Sequence, residues 1–446
     1  MVEFFGVSLR WIGRAGGWKA VRNSLAAVVM IAAVFAFVRP ANAQLIEKYY
    51  PANVPAYQDW LAGAQDAGPD EGYAPLGVRL GNVIVRPEVT EGLGYDSNLT
   101  GTSGGAASAL VQSNGAVTLD TDWSRNALDA SITVQDTRYL DVPSRSFTNW
   151  TASAGGDLVY GQDDIRAGYA HIVSVSLPTD VGTFGLAQPV SNQVDDLRVS
   201  DTLGPGPLIL VPALVGQLYR FSPLTGGTLP ASLGLSNRET ITGSITAGYS
   251  FAGGHNLVVL ASDTGGFYDR STQAGLPENY NDLSILAGLE YRQSAVWAYR
   301  ALVGYEMRDA KGRAVAGSHV SAPAAELDVI WSPDRLTSIT AQLGQSLQNA
   351  PTSAGQGLTE VTALIDINRA VRRNVTLDLK LGFERAAFSG NQETQSSVTA
   401  AASLSWNLSR AMSLRWTYDF TKADDSRDAQ FRYSRHQILV QASYHL

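Results

Sequence analysis

Apolar and polar side chains alternate along most of this chain, from Val83 to the last residue, in segments of about 10–14 residues. In one such segment, Val375 and Leu377 occupy one face while Asp378 and Lys380 occupy the other. Successive side chains of a strand point to opposite sides, so each segment has one apolar and one polar face. Strands of a β-sandwich average about five or six residues, whereas this length and pattern are typical of a transmembrane β-barrel.

Sixteen segments follow this pattern, and they predict an all-β, antiparallel, up-and-down barrel near 83–95, 109–121, 127–139, 149–160, 164–176, 239–251, 256–268, 281–293, 297–309, 321–331, 336–347, 358–369, 375–387, 395–408, 412–422 and 431–446. An even number of strands places both chain ends on the same side of the membrane, and the short turns then lie in the periplasm. The segment 256–268 is the least regular of the sixteen.

The stretch 177–238 interrupts the alternation with many Pro and Gly residues. It predicts a long extracellular loop that could fold into the lumen, because loops of this length are usually functional. The alternative is a further hairpin turning at Gly204–Pro207, which would raise the number of strands to eighteen.

The first 43 residues have the features of a secretory signal peptide. Basic residues precede the apolar run 25–38, and Ala41-Asn42-Ala43 is a small-residue cleavage site, with the cut expected before Gln44. The apolar run of about 14 residues is shorter than the roughly 20 that a membrane-spanning helix needs. We therefore expect a signal peptide at 1–43, a periplasmic lead-in at 44–80 and a barrel at 81–446 that contains the long loop.

Composition supports a membrane barrel. Charged residues make up 17% of the chain, against roughly 25% in an average soluble domain. The mean hydropathy is −0.05, and the chain contains no Cys. The formal net charge of −8 argues against a nucleic-acid partner.

Polar groups on the inward faces would line a water-filled lumen. Charges of both signs are expected there, and such a mixture creates a transverse field that orients polar solutes. Alternatively, these residues pair across strands and stiffen the barrel. The lumen-lining candidates are Arg86, Glu88, Arg166, Arg292, Arg300, Arg308, Asp378, Lys380, Glu384 and Arg415.

Nothing in the sequence favours catalysis. His171 and Ser174 are three residues apart and so fall on opposite faces of a strand. The histidines lack zinc-like spacing, and there is no glycine-rich phosphate loop. We expect no enzymatic activity, no metal and no cofactor.

Several motifs resemble the start of the putative β-barrel porin 2 family: Pro75-Leu76-Gly77-Val78-Arg79-Leu80-Gly81, Val85-Arg86-Pro87-Glu88-Val89, Gly94-Tyr95-Asp96-Ser97-Asn98-Leu99 and Thr121-Asp122-Trp123-Ser124-Arg125-Asn126. The resemblance is strongest over 75–175. It implies a Gram-negative outer-membrane protein and an association with exopolysaccharide production.

The last segment alternates up to the chain end, with apolar Ile438, Val440, Tyr444 and Leu446 on one face. It looks like the strand that the outer-membrane insertion machinery recognises, although Leu stands where such proteins commonly have Phe. We expect outer-membrane lipid and this machinery as partners, with polysaccharide as a candidate cargo. Three functions remain open: a polysaccharide conduit, a general diffusion porin, and a sealed structural or surface barrel.

Overall fold

The computed structural model describes residues 49–58, 71–184, 186, 188–204, 206–222, 237–269, 279–292, 294, 296–311, 319–349, 357–388 and 393–446. The predicted signal peptide and its cleavage site lie outside these residues. Within the described ranges, no helix has the length and the apolar character needed to cross a membrane.

The described chain folds into antiparallel strands that pair in chain order, and β19 pairs with β2 to close a barrel. Short β1 pairs only with the start of β2. The strands are β1 Val78–Leu80, β2 Val83–Asp96, β3 Ser108–Thr121, β4 Ala127–Tyr139, β5 Phe147–Tyr160, β6 Asp163–Ser176, β7 Val190–Thr202, β8 Leu208–Phe221, β9 Arg238–Phe251, β10 His255–Tyr268, β11 Asn279–Tyr291, β12 Trp297–Lys311, β13 His319–Asp334, β14 Thr337–Asn349, β15 Gly357–Arg372, β16 Val375–Phe388, β17 Thr394–Asn407, β18 Met412–Asp425 and β19 Tyr433–His445. Single 3₁₀ turns occur at Pro55–Tyr57, Glu71–Tyr73, Pro143–Arg145, Ala252–Gly254 and Ala429–Phe431.

The barrel has eighteen strands, β2 to β19, which is the alternative number that the sequence left open. The prediction of one continuous loop over 177–238 is wrong, because this stretch contains β7 and β8. They meet at a turn in which Gly204 has a φ of 106°, a conformation that favours glycine. The sequence of β8 does not alternate between apolar and polar residues, because Ile209 and Val211 place apolar side chains on its inward face as well.

The outer face of the barrel is apolar and exposed. Leu93 and Val303 lie on opposite parts of the wall, and each has 69% of its surface exposed. Trp297 and Trp331 stack on neighbouring strands with ring centroids 5.3 Å apart. Such aromatic residues near strand ends form the girdles of membrane barrels. Polar side chains predominate at the opposite parity, as the sequence pattern predicts, with apolar exceptions such as Ile209 and Val211 on β8.

The two ends of the barrel differ. Short turns connect the strand pairs at one end, which also holds the start of β2 and the end of β19; we call it the turn end. Longer connections lie at the other end, the loop end. The predicted orientation places the turn end in the periplasm.

Residues 49–58 lie inside the barrel. The prediction that they belong to a periplasmic lead-in at 44–80 is therefore wrong for this part of the chain. They pack against inward-facing side chains of β6 and β7, including Ala170, Ile172 and Val194. Val54 and Tyr57 are buried in this contact, with 0% and 6% of their surfaces exposed. Burial of these apolar groups draws the segment into the barrel. We call residues 49–58 the inner segment.

Candidate functional site

The connection between β6 and β7 crosses the lumen. We call its residues 177–184 the inner loop. Val181 and Phe184 are buried against the far wall, in a cluster with Leu358, Ala386, Phe388, Ala423 and Tyr433. These wall residues belong to β15, β16, β18 and β19, whereas the loop leaves from β6. The inner loop therefore divides the lumen near the loop end.

Hydrogen bonds hold the inner loop in place. The Tyr433 hydroxyl donates to the Thr179 carbonyl oxygen at 2.9 Å, and the Gly182 N–H donates to Oε1 of Gln395 at 2.9 Å. Within the loop, the Leu177 N–H donates to the Asp180 carboxylate at 2.8 Å. The loop is thus bound to β17 and β19 and is also folded on itself.

The barrel seam lies next to this attachment. Arg435 on β19 donates from Nε and Nη2 to the Asp96 carboxylate on β2, at 3.0 and 2.5 Å. The Asp96 side chain is fully buried. A bidentate guanidinium–carboxylate pair is directional, so this contact sets the register where the sheet closes.

A cavity of about 250 Å³ lies beside the inner loop. Side chains with a hydroxyl or amide group make up about half of its lining, and the rest includes six charged and several apolar residues. Its lining includes Gln217, Thr242, Thr264, Tyr280, Asp282, Arg308, Gln348 and Asn349.

Arg308 organises the charged part of this cavity. Its Nε and Nη2 donate to the two Asp282 carboxylate oxygens at 2.7 and 2.5 Å, and Nη1 donates to the Gln348 carbonyl and to Oδ1 of Asn349, both at 3.1 Å. The guanidinium also lies 4.4 Å from the centre of the Tyr280 ring. Arg308 therefore joins β11, β12 and β14, and its charge is neutralised locally.

A second polar cluster fastens the inner segment to the wall. Asp196 on β7, whose side chain is fully buried, accepts from the Tyr50 hydroxyl at 3.1 Å, from the Tyr57 hydroxyl at 2.9 Å and from Gln217 Nε2 at 2.7 Å. The Arg198 guanidinium lies over both tyrosine rings, 4.1 and 4.7 Å from their centres. Burial raises the pKa of both tyrosine hydroxyls, and the Asp196 carboxylate raises it further. Both therefore remain protonated donors at neutral pH.

Nine of the ten lumen-lining candidates lie on inward-facing strand positions. The exception is Arg292, which follows the end of β11 in a short turn. Ion pairs between inward side chains involve most of the nine: Arg86 with Asp120, Arg166 with Asp157 and Asp164, Arg300 with Glu326, Arg308 with Asp282, Lys380 with Asp366, and Arg415 with Asp378. Glu88 lies 3.6 Å from His445, and Glu384 faces inward on β16. Whether any of them acts on a solute stays a prediction.

The sequence pattern did not identify Tyr50, Tyr57, Asp196 and Arg198 as members of one site, because they are far apart in the chain. One available indication was the Tyr49-Tyr50-Pro51 motif in a segment otherwise rich in small residues. Among the described residues, no group of three or more His, Cys, Asp or Glu side chains is arranged to hold a metal ion.

A closed, even-numbered antiparallel barrel with an apolar exterior and a polar interior defines an outer-membrane β-barrel. The family model for putative beta-barrel porin 2 matches residues 70–180 and 225–445, so the chain belongs to this family. It is an outer-membrane, porin-like channel protein. Such families and folds are typically non-enzymatic.

Comparison with curated protein sequences finds no significant match. Among solved structures, Pseudomonas aeruginosa OccK2 (OpdF) is 11% identical with a TM-score of 0.42, covering 82% of this chain and 98% of that chain. Pseudomonas aeruginosa OpdK with vanillate is 10% identical with a TM-score of 0.41, covering 81% and 98%. A bacterial polysaccharide outer membrane secretin is 8% identical with a TM-score of 0.35, covering 81% and 97%. These likenesses are too weak to support a functional assignment.

Proposed function

We propose that this protein is a passive outer-membrane channel for polyhydroxylated solutes, with carbohydrate as its cargo. The observation that carries the proposal is the cavity beside the inner loop, whose lining is rich in hydroxyl and amide groups. These groups both donate and accept hydrogen bonds, so they can replace the water around a sugar hydroxyl.

The Arg308–Asp282 ion pair of the cavity favours the same cargo. The Arg308 guanidinium is bound to the Asp282 carboxylate and to two further oxygens. An ionic solute would have to compete with these bonds, whereas a neutral polyol uses the remaining hydroxyl and amide groups. Two of these, the Thr242 and Thr264 hydroxyls, lie 2.9 Å apart on neighbouring strands.

Exported polysaccharide is the more specific cargo that we propose, because the family resemblance implies an association with exopolysaccharide production. A glycan strand would pass the inner loop in an extended form. A general diffusion porin and a sealed barrel are the competing functions, and they differ in measurable ways.

Planar-bilayer recording separates these functions. Purified protein should form ohmic pores, and maltohexaose should interrupt the current at concentrations where glycine has no effect. The double variant Thr242→Val/Thr264→Val keeps side-chain volume and removes two hydroxyls, so it should weaken the interruption. The matched control Ser403→Ala/Thr417→Val removes a hydroxyl pair from β17 and β18, outside the cavity, and should behave like the wild type.

Three outcomes contradict the proposal. Absence of any conductance supports a sealed barrel, and conductance without interruption by the sugar supports a general diffusion porin. Equal interruption of the current by the sugar in both double variants would show that the cavity hydroxyls do not bind it. For the polysaccharide cargo, deletion of the gene should reduce exopolysaccharide release, and a plasmid copy should restore it.

We also propose that the insertion machinery recognises β19. Ile438, Val440 and Tyr444 point outward on this strand, with 52%, 42% and 52% of their surfaces exposed. Replacing Tyr444 and Leu446 with Ser should lower the amount of assembled barrel. Normal assembly of that variant would contradict this role.

A further inference from the structure

The wall beneath the inner segment contains a glycine notch. Gly155 on β5 and Gly168 on β6 are directly paired. A Cβ atom on Gly155 would come within 2.5 Å of Val54 Cγ1 and within 2.7 Å of the Ala167 carbonyl oxygen in the wall. One on Gly168 would come within 2.8 Å of Ala56 Cβ and 2.9 Å of the Tyr57 ring. The inner segment fits the wall this closely only because both positions lack a side chain.

The inner segment is bound to the wall without belonging to the sheet. Its own backbone N–H groups bond within the segment, from Val54 to Pro51 and from Tyr57 to Val54, at 3.0 and 2.9 Å. The contacts to the wall described above are made by side chains, apart from a 3.3 Å bond from the Thr151 hydroxyl to the Tyr49 carbonyl oxygen. The segment can therefore leave the wall without breaking the hydrogen-bond ladders of β2 to β19.

Departure of the segment would not leave an unpaired charge in a dry site. Asp196 and Arg198 are bonded to each other, with Nε and Oδ1 2.9 Å apart. Water could then replace the two tyrosine hydroxyls at the Asp196 carboxylate, because this site faces the lumen. The hydrogen bonds from the two tyrosines to Asp196 can thus be replaced by hydrogen bonds to water. The apolar contacts of Val54 and Tyr57 with the wall favour the bound state.

We propose that residues 49–58 are an autoinhibitory plug. Docked in the glycine notch, the plug narrows the lumen; released from it, the plug leaves a wider path along β5 to β8. Release replaces side-chain contacts with water and needs no rearrangement of the barrel. This inference holds for any cargo, and so it is independent of the carbohydrate proposal.

The first experiment evicts the plug. Gly168→Ala places one methyl group in the notch, where its three nearest atoms belong to Ala56 and Tyr57 of the plug, and it should raise single-channel conductance to the value of a variant lacking residues 49–58. The matched control is Gly248→Ala, which also faces the lumen on a strand, since a Cβ there meets no atom closer than 4.0 Å. This control should conduct like the wild type, which separates eviction from a general effect of alanine in strands.

The second experiment locks the plug with a disulfide. The chain has no native cysteine, so the introduced cysteines are its only thiols. A disulfide between Tyr49→Cys and Thr151→Cys would join the plug to β5, because these two residues are in contact: the Thr151 hydroxyl donates to the Tyr49 carbonyl oxygen at 3.3 Å, and neither position lies in the glycine notch. Oxidation should hold conductance at its lowest value and abolish opening transitions, and reduction should restore them. The control pair Ser403→Cys/Thr417→Cys crosslinks β17 to β18 away from the plug and should leave the transitions unchanged on oxidation.

Two results would overturn the proposal. One is equal conductance of the wild type and the variant lacking 49–58, with both barrels assembled and conducting. The other is an oxidised Tyr49→Cys/Thr151→Cys protein, confirmed as crosslinked by mass spectrometry, that conducts and gates like its reduced form. A protein that fails to conduct in every variant contradicts both this inference and the channel function.

Discussion

The inner loop provides the most direct test of how the lumen is restricted. Phe184 anchors its tip: 8% of its surface is exposed, and its ring meets Tyr433 edge-on at 6.0 Å and 70°. Truncating a buried Phe to Ala costs about 3–5 kcal/mol in protein cores. Taking about 3 kcal/mol for Phe184→Ala, the ratio of docked to undocked loop should fall roughly a hundredfold.

Conductance is the measurement, because an undocked loop no longer divides the lumen. Phe184→Ala should raise single-channel conductance while leaving the barrel folded, since Phe184 belongs to no strand. The control Phe267→Ala removes an outward-facing ring that is 44% exposed, and it should leave conductance unchanged. Heat-modifiable migration on gels checks assembly of both variants.

A cysteine reporter shows whether the loop has moved. Thr183 is fully buried, so Thr183→Cys should react with a thiol reagent only when the loop is released. Rapid labelling in the Phe184→Ala background together with wild-type conductance would refute the reasoning. It would mean that the docked loop does not limit the current.

Three further predictions concern the wall and the plug. Leu379→Arg places a charge on the lipid face at a cost of about 2–4 kcal/mol and should block assembly, whereas inward Ser413→Arg should assemble. Arg308→Met leaves the Asp282 carboxylate without its bidentate partner, so urea unfolding should show a loss of about 3 kcal/mol, partly recovered by adding Asp282→Leu. Burial raises the pKa of Tyr57 in the docked plug. The stabilisation that protonated Tyr57 gives to the docked plug is therefore complete below the usual tyrosine pKa of about 10, and it is lost as the pH rises above that value. Conductance should therefore rise in strongly alkaline buffer, and less so in Tyr57→Phe.

Regular strands with opposed faces could be predicted closely from the sequence. β4 spans Ala127–Tyr139, as the alternation indicates, and most other predicted boundaries fall within a few residues of those observed. Lipid on one side and water on the other impose a period of two on every such strand. The inward positions of Arg308 and Asp378 follow from the same rule.

β7 and β8 were harder to predict, because part of their wall does not obey that rule. Ile209 and Val211 occupy the inward parity of β8 with apolar side chains, so the two faces look alike. Gly204–Pro207 did indicate a turn, but a turn alone cannot distinguish a hairpin from an irregular loop.

The sequence by itself determined a membrane barrel, its strand parity and most of its strands, because these depend on local alternation. Only the tertiary structure decided what occupies the lumen. Phe184 meets Tyr433, and Tyr57 meets Asp196, across 249 and 139 positions of the chain. Such contacts depend on the closure of the sheet and on notches such as the Gly155–Gly168 pair, and these exist only once distant strands have come together.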